Sequence, residues 1–495
     1  MDLKAITPSG NKRGLSVATI MLSFIAALSG FSFGYNTGVI SGVLFIVRQE
    51  LSHPFDLTYE QKQMMTSATI ITALIATIFG GFLADKLGRK LILLLSCIFY
   101  ISSCAIMATS YSLTKFIWGR AILGLGVGLS SFIAPMYISE LAPALHRGKM
   151  VLLYVFMITL GQLMSYTMGA AMNDTRDGWR YMVGIGGIPG CIQLISLIFL
   201  PESPRFLLFK GKVIQARKVL KTVCPGLTEE EIVARLKLMN CEKLSFTQSL
   251  GELFSKPAHT RALVIGCGLQ AMQQLSGFNM LMYYSGTLLK ALGYRNPMAV
   301  AMVVAGTNCA FTIIAFAIID KVNRRRLLLW TIPGMAFGLL WISVSYNCIP
   351  RWWFNFAAKY EQNGWNAVML TAMVVFVAFY ALGIGNLPWH QGEMFPTSVR
   401  GVGTSITTSI NWTINLIFSI VFLTMFERMG PVWTFALFGL LCITSEIFTY
   451  FVYPDLAGLG IEEIDCLLTS GFGIKESIII REDRKLFGLI DGEAI

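Results

Sequence analysis

The sequence predicts an all-α membrane protein with twelve transmembrane helices in two pseudo-symmetric six-helix bundles. Three observations carry this reading. Charged residues make up only 14% of the 495 residues against 55% hydrophobic. About twelve stretches lack Asp, Glu, Lys and Arg over a bilayer-spanning length. A set of charged motifs from the first half returns, in the same order, in the second.

Soluble domains carry roughly 25% charged residues. With a mean hydropathy of +0.63, most of this surface must face lipid, and the bilayer is the expected solvent. The net charge of +11 sits in short clusters between apolar runs. That is a topology signal rather than a nucleic-acid surface, so no nucleic-acid partner is expected. The ten cysteines are scattered, most of them inside apolar runs, as at Cys97, Cys104, Cys191, Cys267, Cys309 and Cys442. None forms a CxxC pair, and buried small hydrophobes explain them better than disulfides or a metal site. No metal and no cofactor are expected. The four histidines lie far apart, with no nucleophile–base arrangement, and an enzyme is excluded on that ground.

The charge-free runs cover 14–47, 63–84, 91–114, 121–139, 150–173 and 181–201, then 262–289, 296–319, 327–350, 362–392 and 401–426; a twelfth, 429–454, is broken only by Glu446. A spanning helix needs about 20 apolar residues, and in lipid every backbone group must find its partner internally. β-Barrel strands would be half as long and alternate in polarity. The first run is too long for a signal-peptide core and is expected to direct insertion itself. An even number of spans places both termini on one side. Lys and Arg favour a cytoplasmic placement weakly in the short loops, and the long connection after the sixth run adds 11 more. That connection holds Thr228 followed by Glu231, a capping-box pattern that predicts short helices on the inner face. The expected division is a first bundle over 1–205, a cytoplasmic helical loop over 206–261, a second bundle over 262–453 and a cytoplasmic tail over 454–495.

The internal repeat is specific. Gly81-x-x-x-Asp85-x-x-Gly88-Arg89 returns, degraded, as Asp320 through Arg324, a shift of 235; Glu140-x-x-Pro143-x-x-x-Arg147 returns as Glu393-x-x-Pro396-x-x-x-Arg400, a shift of 253; and Pro201-Glu202 matches Pro454-Asp455 at the same 253. The difference of 18 falls in the longer outer loop around 351–364. Two homologous halves with substrate at their interface is transporter architecture. Asp85, Arg89, Glu140, Arg147, Glu202, Arg205, Asp320, Arg324, Glu393 and Arg400 all fall at inner helix ends. They are expected to form an ion-pair network that joins the bundles and breaks when the inner side opens.

These motifs resemble the sugar porter family of the major facilitator superfamily. The resemblance rests on Phe33-Gly34-Tyr35-Asn36-Thr37-Gly38-Val39-Ile40-Ser41-Gly42, on Pro201-Glu202-Ser203-Pro204-Arg205 and on Gln273-Gln274-Leu275-Ser276-Gly277-Phe278-Asn279. Within that family the stretch Gly383-Ile384-Gly385-Asn386-Leu387-Pro388-Trp389-His390-Gln391-Gly392-Glu393-Met394-Phe395-Pro396 and the stretch Pro454 through Glu463 are most similar to fungal-type myo-inositol transporters. A neutral, hydroxyl-rich solute needs side chains that both donate and accept, plus an aromatic wall for its C–H face. Gln273, Gln274 and Asn279 sit close enough in sequence to share a broad helix face. The resemblance implies that these three, with Gln162, Asn308 and Trp389, are substrate ligands, that Asn386 and Asn411 are further candidates, and that Tyr283 and Tyr284 form an outer aromatic gate. It also implies a plasma-membrane carrier of a neutral polyol or sugar, functional as a monomer. Proton-coupled relatives usually carry aspartate where Asn36 stands, paired with the arginine at Arg120. An asparagine takes up no proton, so facilitated diffusion is the expectation. His390 and Glu446 are the residues that would support a proton symporter instead. A hexose facilitator and a non-transporting nutrient sensor are the other readings.

Overall fold

The computed structural model describes residues 16–46, 57–143, 146–173, 175–225, 228–239, 245–292, 294, 296–319, 322–348, 364–396, 398–456, 459 and 461–486. Asp320, one member of the expected charge network, lies outside them. All regular structure among the described residues is helical.

The first six spans are Val17–Ile46, Tyr59–Leu87, Arg89–Ala108, Leu113–Leu141, Arg147–Ala171 and the pair Gly178–Ile185 and Ile188–Ile198. The second six are the pair Pro257–Leu275 and Phe278–Ala291, then Pro297–Ile318, Arg324–Cys348, Gly364–Leu382 continued by a tighter 3-10 turn at Leu387–Glu393, Arg400–Arg428 and Gly430–Val452. Eleven of these are long and apolar enough to cross a bilayer as single segments. The seventh is not, because its first helix carries His259, Arg261, Gln270, Gln273 and Gln274; it also breaks at Ser276–Gly277, where Gly277 adopts φ 75°. That left-handed conformation favours glycine, since a Cβ would be strained there. A Cβ at Gly277 would also meet the Phe438 ring at 2.8 Å.

The polarity of the bundle is inverted relative to a water-soluble protein. Phe199, Ile195, Phe337 and Trp330 are exposed, while Asn36, Gln162, Gln270, Asn308 and Asn411 are buried. Lipid accepts the first set, and only a partner inside the bundle satisfies the second. Between the sixth and seventh spans lie four short helices, Pro204–Phe209, Val213–Val223, Glu229–Met239 and Phe246–Ser255. The expected capping box is present: Glu231 N–H donates to Thr228 Oγ1 at 3.2 Å, and Thr228 N–H donates to Glu231 Oε2 at 2.9 Å.

The end of the bundle bearing these helices, the loop end, also receives two tail helices, Ile461–Ser470 and Ile474–Leu486. Arg261 at the start of the seventh span donates to the carbonyls of Leu468 and Thr469 at 2.6 and 2.7 Å, meeting the exposed C-terminus of the first tail helix. His259 faces Asp465 at 3.2 Å, and Arg481 pairs with buried Asp455 at 2.6 Å. The tail is therefore strapped to the second half by charge-assisted bonds.

Candidate functional site

The break in the seventh span creates an amide network. Asn279 Nδ2 donates to Gln274 Oε1 at 2.8 Å across the break. Gln274 Nε2 donates to Asn411 Oδ1 at 2.9 Å, and Asn411 Nδ2 donates to Gln273 Oε1 at 2.9 Å and Gln270 Oε1 at 2.6 Å. Gln273 Nε2 continues to Gly385 O at 3.0 Å, and Gln270 Nε2 reaches Gln391 Oε1 at 2.8 Å. A continuous helix face does not bring Gln274 to Asn279; the interruption folds one back on the other. No carboxylate takes part in these bonds. Between the halves Gln162 Oε1 of the fifth span accepts from Asn308 Nδ2 of the eighth at 3.1 Å.

Aromatic rings stand beside the amides. Trp389 packs edge-on against Tyr154 at 5.5 Å and against Phe33 at 6.4 Å, and Phe33 lies 5.8 Å from Trp412. The Tyr154 hydroxyl is buried with no hydrogen-bond partner among the described residues. Asn386 stays apart from the network. Its amide caps its own span by donating to Ala381 O, and its Oδ1 has no partner among the described residues.

Two cavities flank the network. The loop-end cavity, about 250 Å³, is lined by Ser139, Trp389, His390, Gln391, Glu393 and Thr404 among others. The far-end cavity, about 280 Å³, is lined by Asn36, Thr66, Arg120, Tyr283 and Trp412 among others.

The halves touch at both ends. At the far end Gly286 N–H donates to Ser41 Oγ at 2.9 Å and Gln63 Nε2 reaches Thr424 Oγ1 at 3.3 Å. At the loop end His390 Nε2 lies 3.1 Å from Gly148 O and Ser405 Oγ donates to Thr77 O. The backbones approach closely at Gly81, where an added Cβ would lie 2.7 Å from Gly401 O. Gly81→Val is therefore expected to prop the second and eleventh spans apart. Spin labels on the loop-end surfaces of the two halves would show a distance distribution shifted outward; an unchanged distribution would contradict a closing role for this contact.

The repeated charges pair as the repeat implies, but within each half. Arg89 meets Glu140 at 3.1 Å in the first half. Its counterparts Arg324 and Glu393, at shifts of 235 and 253, meet at 3.1 Å in the second. Asp85 stands 3.9 Å from Arg89. Glu202 accepts from the backbone N–H groups of Arg89, Lys90 and Ser203 at 3.0, 3.2 and 2.8 Å, and burial raises its pKa above the usual carboxylate range. Ser203 Oγ donates to Glu140. Arg400 donates to Phe395 O at 3.0 Å, and it feels Glu140 across the interface; Arg147 likewise acts on Glu393. Arg205 adds a further charge near Glu140. Among the described residues the ion pairs at these positions lie within each half, and the bundles face each other through opposed charged clusters.

The two gate tyrosines separate. Tyr283 lines the far-end cavity and accepts from Asn415 Nδ2 at 3.2 Å. Tyr284 is stacked on Phe422 of its own half at 5.4 Å with its hydroxyl donating to Ser419 O at 3.1 Å, beside Thr66 of the first half. Arg120 donates to Asn36, but to the backbone O at 3.2 Å. The Asn36 side chain is held by Ser32 O at 2.9 Å and the Cys104 thiol at 3.6 Å. Glu446 lies on the twelfth span between Ile443 and Ile447, both exposed toward lipid, and lines neither cavity. Gln270 and Gln391, central to the network, were not anticipated. Gln270 precedes Gln273 and Gln274 by three and four residues, the one-face spacing of a helix, and that signal could have found it.

The chain is similar to known proteins over nearly its whole length. The family model described as sugar (and other) transporter matches residues 22–468. Myo-inositol transporter 1 of Saccharomyces cerevisiae is 40% identical over 489 residues, covering 96% of this chain and 83% of that protein. Myo-inositol transporter 2 of Schizosaccharomyces pombe is 43% identical over 469 residues, covering 92% and 83%. Among solved structures, the proton:xylose symporter XylE bound to 6-bromo-6-deoxy-D-glucose superposes with TM-score 0.77 at 26% identity, covering 92% of this chain and 100% of that one. The inward-open xylose transporter XylE from E. coli superposes with TM-score 0.70 at 26% identity, covering 91% and 99%. A chain with this bundle, these amides and these matches is an integral multi-pass membrane transporter of sugars or polyols, not an enzyme, and it belongs to the sugar transporter family of the major facilitator superfamily.

Proposed function

We propose that this protein carries myo-inositol across the plasma membrane by alternating access and facilitated diffusion, working as a monomer with both termini in the cytoplasm. The observation that carries the reading is the uncharged network of Gln273, Gln274, Asn279 and Asn411 beside Trp389. Each amide both donates and accepts. A ring bearing vicinal hydroxyls can exchange bonds with them one for one, with Trp389 and Tyr154 covering its C–H face. Gln162 and Asn308 are proposed as ligands from the opposite wall. Two relatives named as myo-inositol transporters at 40 and 43% identity favour inositol over a hexose. Uptake of labelled myo-inositol challenged with glucose, galactose, fructose and xylose tests the choice: competition by myo-inositol alone supports it, and preferential competition by a hexose overturns it.

The two halves, 1–205 and 262–453, are proposed to rock about this site, with the loop over 206–261 and the tail beyond 454 on the cytoplasmic side. The charged clusters around Glu140 and Glu393 would set the balance between open and closed loop ends.

Asn36 supports the uncoupled mechanism. A proton relay needs a buried titratable acid, and the residue beside Arg120 is an amide. Asn36→Asp is expected to make uptake rise at acid pH and fall with a protonophore, because a carboxylate beside Arg120 alternates between ionised and protonated states. Wild-type uptake should show neither response. Strong acid stimulation of the wild type, abolished by the protonophore, would instead favour a symporter, and His390 in the loop-end cavity would be its first candidate.

A further inference from the structure

We propose that the far-end cavity holds a small monovalent anion, of which chloride is the abundant case, as the counter-charge of Arg120. Arg120 is 3% exposed. A guanidinium does not deprotonate in a protein, and a buried charge needs an opposite charge or a full set of hydrogen bonds. Arg120 has neither. Its Nε donates to Met65 O at 3.1 Å and its Nη1 to Asn36 O at 3.2 Å. Its Nη2 donors meet no acceptor among the described residues, and no described carboxylate pairs with it.

The cavity beside Arg120 supplies what a small anion needs. Tyr283 accepts from Asn415, and its own hydroxyl hydrogen has no acceptor among the described residues. The Asn36 amide spends one hydrogen on Ser32 O and has a second to give. The threonine hydroxyls are already committed: Thr37 donates to Phe33 O, Thr66 to Lys62 O and Thr69 to Arg120 O. Apart from Asn415 Oδ1 beside Tyr283, which has no partner among the described residues, what remains is donors around one positive charge. That set suits an anion better than a polyol, which brings hydroxyl donors of its own. Phe33, Ile70, Leu123, Val127 and Trp412 complete the lining and keep the local dielectric low, which strengthens the attraction. The cavity has room for a guest of about the size of one water or one small ion. The inference rests on the burial of Arg120 and not on which polyol is carried.

The test uses the purified full chain, with chloride exchanged for methanesulfonate at constant ionic strength. Thermal unfolding of the wild type is expected to move upward with chloride and to saturate. Asn36→Asp, which places a carboxylate beside Arg120, is expected to lose that response. Tyr283→Phe removes one donor and should weaken the chloride dependence by about tenfold. Bromide density beside Arg120 in a crystal would support the assignment. A wild type indifferent to the exchange, an equal response in Asn36→Asp, or ordered water alone beside Arg120 would overturn it. Proton dependence of uptake is a separate readout, so failure here leaves the uncoupled reading standing.

Discussion

Asn411→Ala is expected to lower polyol uptake by about a hundredfold while the protein still reaches the membrane. Asn411 is the hub of the network, bonded to Gln270, Gln273 and Gln274. Its removal leaves three buried amide groups each short of a partner, at about 1–3 kcal/mol for each orphaned group. A loss of about 2.8 kcal/mol corresponds to two decades in affinity. The fair comparison is an amide that only ties helices together, worth roughly 0.6 kcal/mol. Gln193 is such a residue, donating from the sixth span to Ile25 O at 3.1 Å, away from both cavities. Gln193→Ala should reduce uptake no more than about threefold. Initial-rate uptake, normalised to protein in the membrane, separates the two; equal losses would mean that Asn411 is structural as well.

Glu140→Gln is expected to cut turnover by about a hundredfold and shift the half-saturation concentration by less than about threefold. Glu140 is buried, salt-bridged to Arg89 and hydrogen-bonded by Ser203, and it faces Arg400 of the other half. Breaking a buried pair at one partner costs about 3–5 kcal/mol. The Arg89 pair lies within one half and is kept on opening, so only the part of that penalty that comes from Arg400 across the interface falls on the loop-end-closed state alone. A population shift from that part slows the cycle without touching the amides. Glu393→Gln should act in the same direction, since Glu393 holds the equivalent place opposite Arg324. Transport kinetics beside equilibrium binding decide the matter: a fall in affinity that matches the fall in turnover would place Glu140 in the binding site instead.

The fold was legible in the sequence because lipid simplifies the rules. Charge-free runs mark the spans, and the shifts of 235 and 253 between charged motifs anticipate two pairs at the same 3.1 Å. The break in the seventh span was not legible from charge, because Gly277 interrupts a charge-free run without adding charge, and the amides beside it lower the hydropathy without marking a break. That break decides the site. It carries Asn279 back to Gln274 and opens a place for Asn411, contributed by a span 132 residues away from Asn279 in sequence. Residue type alone also could not separate Tyr283 from Tyr284. Adjacent positions on a helix point about 100° apart, and only packing against Phe422 tells which one leaves the path. The repeat predicts which charged residues correspond and not which surface they face; among the described residues the ion pairs at these positions lie within each half.

The most direct measurement is counterflow of labelled myo-inositol in proteoliposomes, with a protonophore present and no ion gradient. Wild-type vesicles preloaded with unlabelled myo-inositol are expected to accumulate the label transiently, and vesicles bearing Gln274→Ala are not. Absence of counterflow in the wild type, or its persistence in Gln274→Ala at the wild-type rate, would contradict a neutral amide site shared between two rocking halves.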